Sequence, residues 1–159
     1  MERKPIKRNK YIIRLSKDHH LTLLFCWKIR TGLKREIETN RIKNYIHYFW
    51  QTHLLQHFNE EETILFAGVK DTAVKKAIDE HADIRRQVNA IVNSENIQAS
   101  ALKTFADTVD SHVRYEEREL FPHLEKVLSE TQLQQIGNAL EQTHAEVCKD
   151  DFSDEFWTE

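Results

Sequence analysis

Glycine, proline and cysteine are scarce in this chain of 159 residues, which contains three Gly, two Pro and two Cys. So few helix-breaking residues leave room for long uninterrupted helices, and the abundance of Leu, Ile, Glu, Lys, Gln and Ala favours helix over strand. Cys26 and Cys148 stand alone, without a Cys-x-x-Cys spacing, which indicates a reducing compartment and gives no redox motif. We expect one all-α domain that is stabilised by its core and not by disulfides.

Long apolar runs are also lacking, since no stretch approaches the ~18 residues of a membrane span and none follows the basic N-terminus as a signal peptide would. We therefore expect a cytoplasmic protein without a membrane partner. A net charge of −3 gives no reason to expect nucleic-acid binding.

The two ends of the chain differ in charge. Residues 1–17 carry seven Lys or Arg against one Glu, whereas 150–159 carry five acids and no base. We interpret both ends as solvated, partly disordered tails. The predicted organisation is a basic arm over 1–14, a domain over 15–147 and an acidic tail over 148–159.

Apolar residues recur at helical spacing in four long segments, about 16–36, 41–66, 72–93 and 99–128, followed by a short fifth segment at about 130–147. Pro122 predicts a kink or break near Phe121. Residues suited to capping stand at the predicted starts: Ser16, Asn40, Asp71, and Ser129 with Gln132 as a capping box. Long helices joined by short links predict an up-down-up-down four-helix bundle with a short extra C-terminal helix.

One motif occurs twice, from His57 to Phe66 and from His112 to Phe121. Each copy contains His-x-x-x-Glu, and this spacing places both side chains on one face of a helix. The second and fourth helices of such a bundle run parallel across a diagonal, so the two pairs can face each other. The coinciding positions are His57 with His112, Glu61 with Glu116, Glu62 with Glu117, Leu65 with Leu120 and Phe66 with Phe121.

The first and third helices each offer a histidine that could complete a site. On the third helix His81 follows an acid, and matching this pair to Asp18-His19 favours His19 on the first. The adjacent His20 remains an alternative, since it heads an apolar row of its own. The predicted ligands are His19, His57, Glu61, His81, His112 and Glu116.

The chemistry of these ligands indicates a site for two metal ions. If each carboxylate bridges both metals and each metal takes two imidazoles, coordination positions remain open for O₂, NO or peroxide. Oxygen and imidazole ligands without thiolates suit Fe or Mn; Zn is a further possibility.

Other polar side chains are given lesser roles. We expect His53 to lie beside the ligands or to pack at a bundle end, and His123 to be too far along its helix for the same site. The positions expected at the surface are His47, His144, Glu62, Glu117 and Glu119. Aromatic packing is the expected role of Tyr45, Tyr48 and Tyr115.

The six predicted ligands, together with Leu120-Phe121-Pro122, resemble the motifs of the hemerythrin-like (HHE cation-binding) family over roughly residues 15–128. The resemblance implies a four-helix bundle that holds a non-haem di-iron centre with an oxo or hydroxo bridge. The family includes oxygen carriers, oxygen or redox sensors, and bacterial proteins that repair iron–sulfur clusters.

Two departures separate this chain from the oxygen carriers. They have His-x-x-x-His on the third helix, whereas His81 has Ala77 and Arg85 at those spacings. They also have an acid five residues after the last-helix histidine, whereas Glu116 follows His112 by four. The chain is similar to the four-His, two-Glu bacterial branch of the repair proteins, and we expect it to lack the Cys-bearing N-terminal domain that many of those have.

We expect a protein that binds two Fe ions and a small ligand (O₂, NO or peroxide) as a sensor, scavenger or iron–sulfur repair factor, and not an ordinary metabolic enzyme. One alternative is a di-metal oxidase or peroxidase on the same site. Another is a helical interaction module with structural histidines, whose charged tails recruit a protein partner that the sequence does not specify.

Overall fold

The computed structural model describes residues 7–143 and 149–159. Five helices are present in this part of the chain: α1 (Ile13–Lys34), α2 (39–65), α3 (Thr72–Asn93), α4 (99–127) and α5 (Glu130–Thr143). They confirm the predicted all-α class. The predicted end of the fifth helix, together with His144, Cys148 and the first six residues of the basic arm, lies outside the described residues.

Contacts between neighbouring helices establish the up-down-up-down order. Asp18 meets His57 while Gly32 lies against Ile42, so α1 and α2 run antiparallel. The remaining neighbours are antiparallel by the same reasoning, with these contacts: Lys43 to Ser94 and Glu62 to Arg85 (α2–α3), Glu80 to His112 and Gln87 to Thr108 (α3–α4), and His19 to Glu117 and Arg30 to Asp107 (α4–α1). The helices α2 and α4 therefore share a diagonal, as the repeated motif requires.

Both helices that carry the repeated motif contain a π-helical turn directly at the motif glutamate. These turns span Glu61–Leu65 in α2 and Glu116–Leu120 in α4, and α2 has a further one at Trp50–Leu54. In the first of them the Phe66 N–H donates to the Glu61 carbonyl at 2.8 Å. Such turns are frequent at functional sites. Of the predicted kink or break near Phe121, the break does not occur, because the helix continues through Pro122; the π-helical turn ends directly before it, at Leu120.

The predicted caps are partly wrong. The helix α1 begins three residues before Ser16, whose side chain accepts a hydrogen bond from Arg8 Nε at 3.1 Å. Asn40 lies inside α2, which begins at residue 39. Asp71 does cap α3, accepting from the Val74 N–H at 3.0 Å, and the capping box of Ser129 is formed. Long apolar faces, which gain more free energy than one cap does, set where the first two helices begin.

A layer of polar side chains divides the hydrophobic core into two clusters. One cluster surrounds Phe25, Phe49 and Phe105; the other surrounds Leu15, Leu65 and Leu120 and extends under α5. The six predicted ligands lie where each long helix passes from one cluster to the other: His19, His57, Glu61, His81, His112 and Glu116. The apolar layers on either side hold the bundle together around this polar layer.

The expectation of a solvated acidic tail is wrong for residues 149–159. Phe156 is fully buried and fills a notch at Gly32, where a β-carbon would lie 2.7 Å from the Phe156 ring. Asp150 accepts a hydrogen bond from Lys28 Nζ at 2.9 Å and another from the Tyr45 hydroxyl. Charge patterning predicted solvent exposure because it does not register the aromatic residues interspersed with the acids. Among the described residues, no helix is long and apolar enough to cross a membrane.

Candidate metal centre

The six predicted ligands meet in the middle of the bundle and are all nearly inaccessible to solvent, with exposed fractions of 0 to 2%. They form two overlapping groups whose potential ligand atoms lie within 4.8 Å of one another. One group contains His19 and His57, the other His81 and His112, and both contain Glu61 and Glu116. This is the arrangement of two imidazoles per metal and two shared carboxylates that the sequence predicted; the role of each residue as a ligand stays a prediction.

The two carboxylates lie between the imidazoles. Glu61 Oε1 is 3.0 Å from His57 Nε2 and 3.3 Å from His81 Nε2, while its Oε2 is 3.8 Å from His19 Nε2. Glu116 Oε1 contacts His112 Nε2 and lies 3.7 Å from His81 Nε2 and 3.8 Å from His19 Nε2. Each carboxylate therefore reaches histidines of both groups.

Every one of the four histidines turns its other ring nitrogen, Nδ1, to a carboxylate outside the centre. His19 and Glu117 are 2.7 Å apart, His112 and Glu80 2.8 Å, His57 and Asp18 3.1 Å, and His81 and Glu62 3.5 Å. The first three of these pairs are hydrogen bonds, whereas His81 Nδ1 faces Glu62 without one. An ionised carboxylate only accepts hydrogen bonds, so in His19, His57 and His112 a proton lies on Nδ1 and Nε2 faces the centre. Outer carboxylates of this kind fix the tautomer and orientation of metal-binding histidines.

Two of these outer acids correct the sequence interpretation. Glu62 and Glu117 were expected at the surface, yet their side chains are only 23% exposed and pair with His81 and His19. A signal existed, because these two residues coincide in the repeated motif directly after the presumed ligands. Glu119, with no counterpart in the repeat, is exposed as expected.

The outer acids reveal an approximate twofold relation between the halves of the bundle. An acid preceding the histidine of α1 or α3 holds the histidine of the next helix: Asp18 holds His57, and Glu80 holds His112. An acid following the glutamate of α2 or α4 lies beside a histidine of the other half: Glu62 lies 3.5 Å from His81 Nδ1, and Glu117 accepts a hydrogen bond from His19. The sequence match of Asp18-His19 to Glu80-His81, which favoured His19 as a ligand, therefore pairs equivalent positions of the two halves.

Aromatic rings enclose the histidines. Phe58 stacks on His81 with ring centroids 4.0 Å apart, and Phe66 lies on the same imidazole at 6.1 Å. Phe121 stacks on His19 at 5.2 Å. Rings on these faces exclude water and hold each imidazole in one orientation.

The electrostatics show a centre with an excess of negative charge. Burial by itself lowers the pKa of His57, but Glu61 and Asp18 outweigh it and raise this pKa well above the usual value. The pKa of His81 is raised to about 11 against the same opposing effect of burial, because Glu116, Glu61 and Glu62 surround it. Burial raises the pKa of Glu116, yet the neighbouring His112 lowers it more and keeps it well below the usual range. Protons on His57 and His81 therefore offset part of the carboxylate charge when no other cation does.

Two further histidines near the centre, His20 and His53, belong to neither ligand group. His20 is exposed together with Leu24 and Trp27, so its apolar row faces solvent and only His19 points into the bundle. His53 is buried and stacks beside His57 at 6.1 Å, outside both ligand groups.

The remaining candidates lie away from the centre. His47 is exposed as expected, and His123 pairs with Asp71 at 2.7 Å. Each of the three tyrosine hydroxyls has a partner elsewhere: Asp150 for Tyr45, Asp151 for Tyr48 and the Ala73 carbonyl for Tyr115.

The donor set fits metal ions. The Nε2 atoms of all four histidines and both carboxylate oxygens of Glu61 and Glu116 are buried without a hydrogen-bond partner among the described residues. Unpaired buried polar atoms are costly, and cations would satisfy them together. A helical bundle with convergent histidines and glutamates on facing helices defines a helical-bundle metalloprotein.

Comparison with known families agrees with this class. The family described as Hemerythrin HHE cation binding domain matches residues 12–124, which is most of the chain. The chain belongs to the hemerythrin HHE cation-binding family and is a metal-binding domain of that type. In the same comparisons, no curated protein and no solved structure matches the chain.

Proposed function

We propose that this protein holds two iron ions, one between His19 and His57 and one between His81 and His112, with Glu61 and Glu116 shared. The observation that supports this most directly is the set of unpaired Nε2 and carboxylate atoms converging from all four helices. Carboxylate and imidazole donors without thiolate suit iron or manganese better than they suit a structural zinc site.

Once bound, two iron ions would supply open coordination positions and a redox couple to a small ligand. The protein's contribution is to orient the imidazoles through the outer acids and to exclude water with Phe58, Phe66 and Phe121. The donors are at most 2% exposed, so only a molecule as small as O₂, NO or peroxide would reach them. A centre of this kind serves binding better than turnover of a larger substrate, and we propose a role as a sensor, scavenger or iron–sulfur repair factor.

Anaerobic reconstitution with ferrous iron tests the proposal. We expect about two tightly bound iron ions per chain, and near-ultraviolet absorption that develops on exposure to air and changes on addition of NO. One iron ion per chain, or iron without such absorption, would contradict the di-iron centre. Sustained consumption of peroxide would instead favour an oxidase or peroxidase on the same ligands.

A further inference from the structure

A buried arginine from the segment before α1 contacts one of the outer acids of the metal centre, Glu117. Arg8 is 9% exposed and makes four hydrogen bonds. Its Nη2 donates to the Glu117 carboxylate at 3.0 Å and to the Glu117 carbonyl at 2.7 Å. Its Nη1 donates to Glu125 at 2.8 Å, and its Nε to Ser16 at 3.1 Å. The planar guanidinium thus ties the arm to both α1 and α4, a geometry that an ammonium group cannot reproduce.

The contacts of Arg8 converge on one histidine by two routes. Glu117, which Arg8 holds through Oε2, accepts a hydrogen bond from His19 Nδ1 through Oε1 at 2.7 Å. The guanidinium carbon also lies 5.4 Å above the ring of Phe121, which stacks on the His19 imidazole at 5.2 Å. Arg8 therefore restrains both the hydrogen-bond partner and the stacking partner of His19.

In the opposite half of the bundle, Arg85 likewise contacts both the acid and the aromatic ring that lie beside a histidine. Arg85 donates to Glu62 Oε2 at 2.5 Å, and Glu62 pairs with His81. Its guanidinium carbon lies 5.8 Å from the ring of Phe58, which stacks on His81. Arg85 stands one helical turn after His81 on α3, so this support belongs to the bundle itself.

The support of His19 belongs to a segment that precedes the bundle. Besides Arg8, the segment is held by the Asn9 N–H, which donates to Glu125 at 3.4 Å, and by Tyr11, which lies against Gly137 of α5. A β-carbon at Gly137 would lie 2.9 Å from the Tyr11 ring, so the glycine permits this close approach. Ile12 is fully buried and fixes the segment next to α1, but few contacts hold residues 8–11, and such a region opens more easily than a packed helix.

We infer that Arg8 is a positioning residue of the metal centre, and that docking of residues 8–12 strengthens the His19–His57 metal position while leaving the His81–His112 position unaffected. The inference rests on the proposed function, because it requires both positions to bind metal. Outer partners of metal-binding histidines contribute 10- to 100-fold in metal affinity as an order of magnitude. Coupling is reciprocal, so metal at the His19 position must in turn hold the arm in place.

The test uses Co²⁺ as the metal probe, with binding to the full chain followed by calorimetry and by visible absorption. Wild type is expected to bind two Co²⁺ ions. Arg8→Ala should weaken one of the two positions by roughly 10-fold, the lower end of the range for direct partners because Arg8 acts through Glu117, and leave the other unchanged. Arg8→Lys should restore part of the loss. The matched control is Arg14→Ala, which removes an arginine that bonds the Leu140 carbonyl of α5 at 3.4 Å and contacts no acid of the centre.

The position that is affected can be identified by combining variants. In the double variant Arg8→Ala/His19→Ala, little further Co²⁺ affinity should be lost, because His19→Ala already disables the same position. In Arg8→Ala/His81→Ala, the one remaining position should bind Co²⁺ more weakly than in His81→Ala alone. Equal weakening of both positions in the single Arg8→Ala variant, or no weakening, would overturn the inference. Fewer than two Co²⁺ ions on wild type would count against the proposed function instead.

A second readout follows from reciprocity. Trypsin cleavage after Lys10, which is exposed, should slow when Co²⁺ is added to wild type. In Arg8→Ala the cleavage rate should respond little to Co²⁺. Equal slowing in both proteins would show that the arm is protected by general stabilisation of the bundle and would contradict the coupling.

Discussion

Removing Glu116 is the perturbation that separates a shared carboxylate from an ordinary buried acid. Glu116 Oε1 lies beside histidines of both ligand groups, so Glu116→Ala should weaken both metal positions at once. Its matched control is Glu119→Ala, the same substitution three residues later at an exposed position on the same helix.

The size of the effect follows from mass action. Free metal at 100 times the dissociation constant stabilises a folded protein by about 2.7 kcal/mol per site, hence by roughly 5 kcal/mol for two sites. A chain of this length gains about 2–4 °C in unfolding midpoint per kcal/mol, so wild type should gain roughly 10–20 °C. If losing the carboxylate weakens each site by ~100-fold, each contribution falls to about 0.4 kcal/mol and the gain to roughly 2–3 °C.

The assay is thermal unfolding of wild type, Glu116→Ala and Glu119→Ala, each with and without ferrous iron under anaerobic conditions. The quantity to compare is the iron-dependent rise in midpoint, because Glu116→Ala also changes the iron-free protein by removing the carboxylate beside His112 Nε2. Wild type and Glu119→Ala should show the same large rise. The reasoning is refuted if Glu116→Ala shows that rise too, since Glu116 would then not contact the metal.

Three further predictions concern other parts of the molecule. His19→Ala should lower the bound iron by one ion per chain, whereas His20→Ala at the exposed neighbouring position should leave it unchanged; metal analysis that finds the loss in the second variant would reverse the assignment. Burial raises the pKa of Cys26 to about 12. In a Cys148→Ser background, the Cys26 thiol should therefore resist a thiolate-directed reagent at pH 7.5 in the native protein and react once the protein is unfolded. Prompt labelling of the native protein would contradict this. Phe156→Ala should cost about 3–5 kcal/mol of unfolding free energy in urea titrations because it empties a fully buried site, and a cost below about 1 kcal/mol would mean that the C-terminal segment is not docked in solution.

The amino-acid sequence by itself determined the class of fold and five of the six residues that meet in the centre, and it favoured His19 as the sixth. Helical periodicity is a local property of the sequence. The third helix could therefore be predicted at 72–93, and the structure has it at Thr72–Asn93. The two His-x-x-x-Glu motifs could be placed opposite each other because four helices with short links have one simple arrangement. A repeated motif of potential metal ligands at a fixed spacing can be recognised from the sequence alone.

The tertiary structure decided which outer carboxylates lie beside the Nδ1 atoms of the histidines in the centre. Glu62 and Glu117 look like solvated acids in a linear sequence, since the histidines that they hold come from other helices. The choice between His19 and His20 likewise depends on how α1 is rotated against its neighbours, which packing sets and local propensity does not.

The ends of the chain depended most on the tertiary structure. Arg8 and Phe156 belong to segments whose charge predicts exposure, yet one guanidinium finds acids of α4 and one ring finds the notch at Gly32. Both contacts join residues more than a hundred positions apart. Long-range pairing of this kind leaves no periodic trace in a sequence, because it depends on where a complete bundle happens to leave a complementary surface.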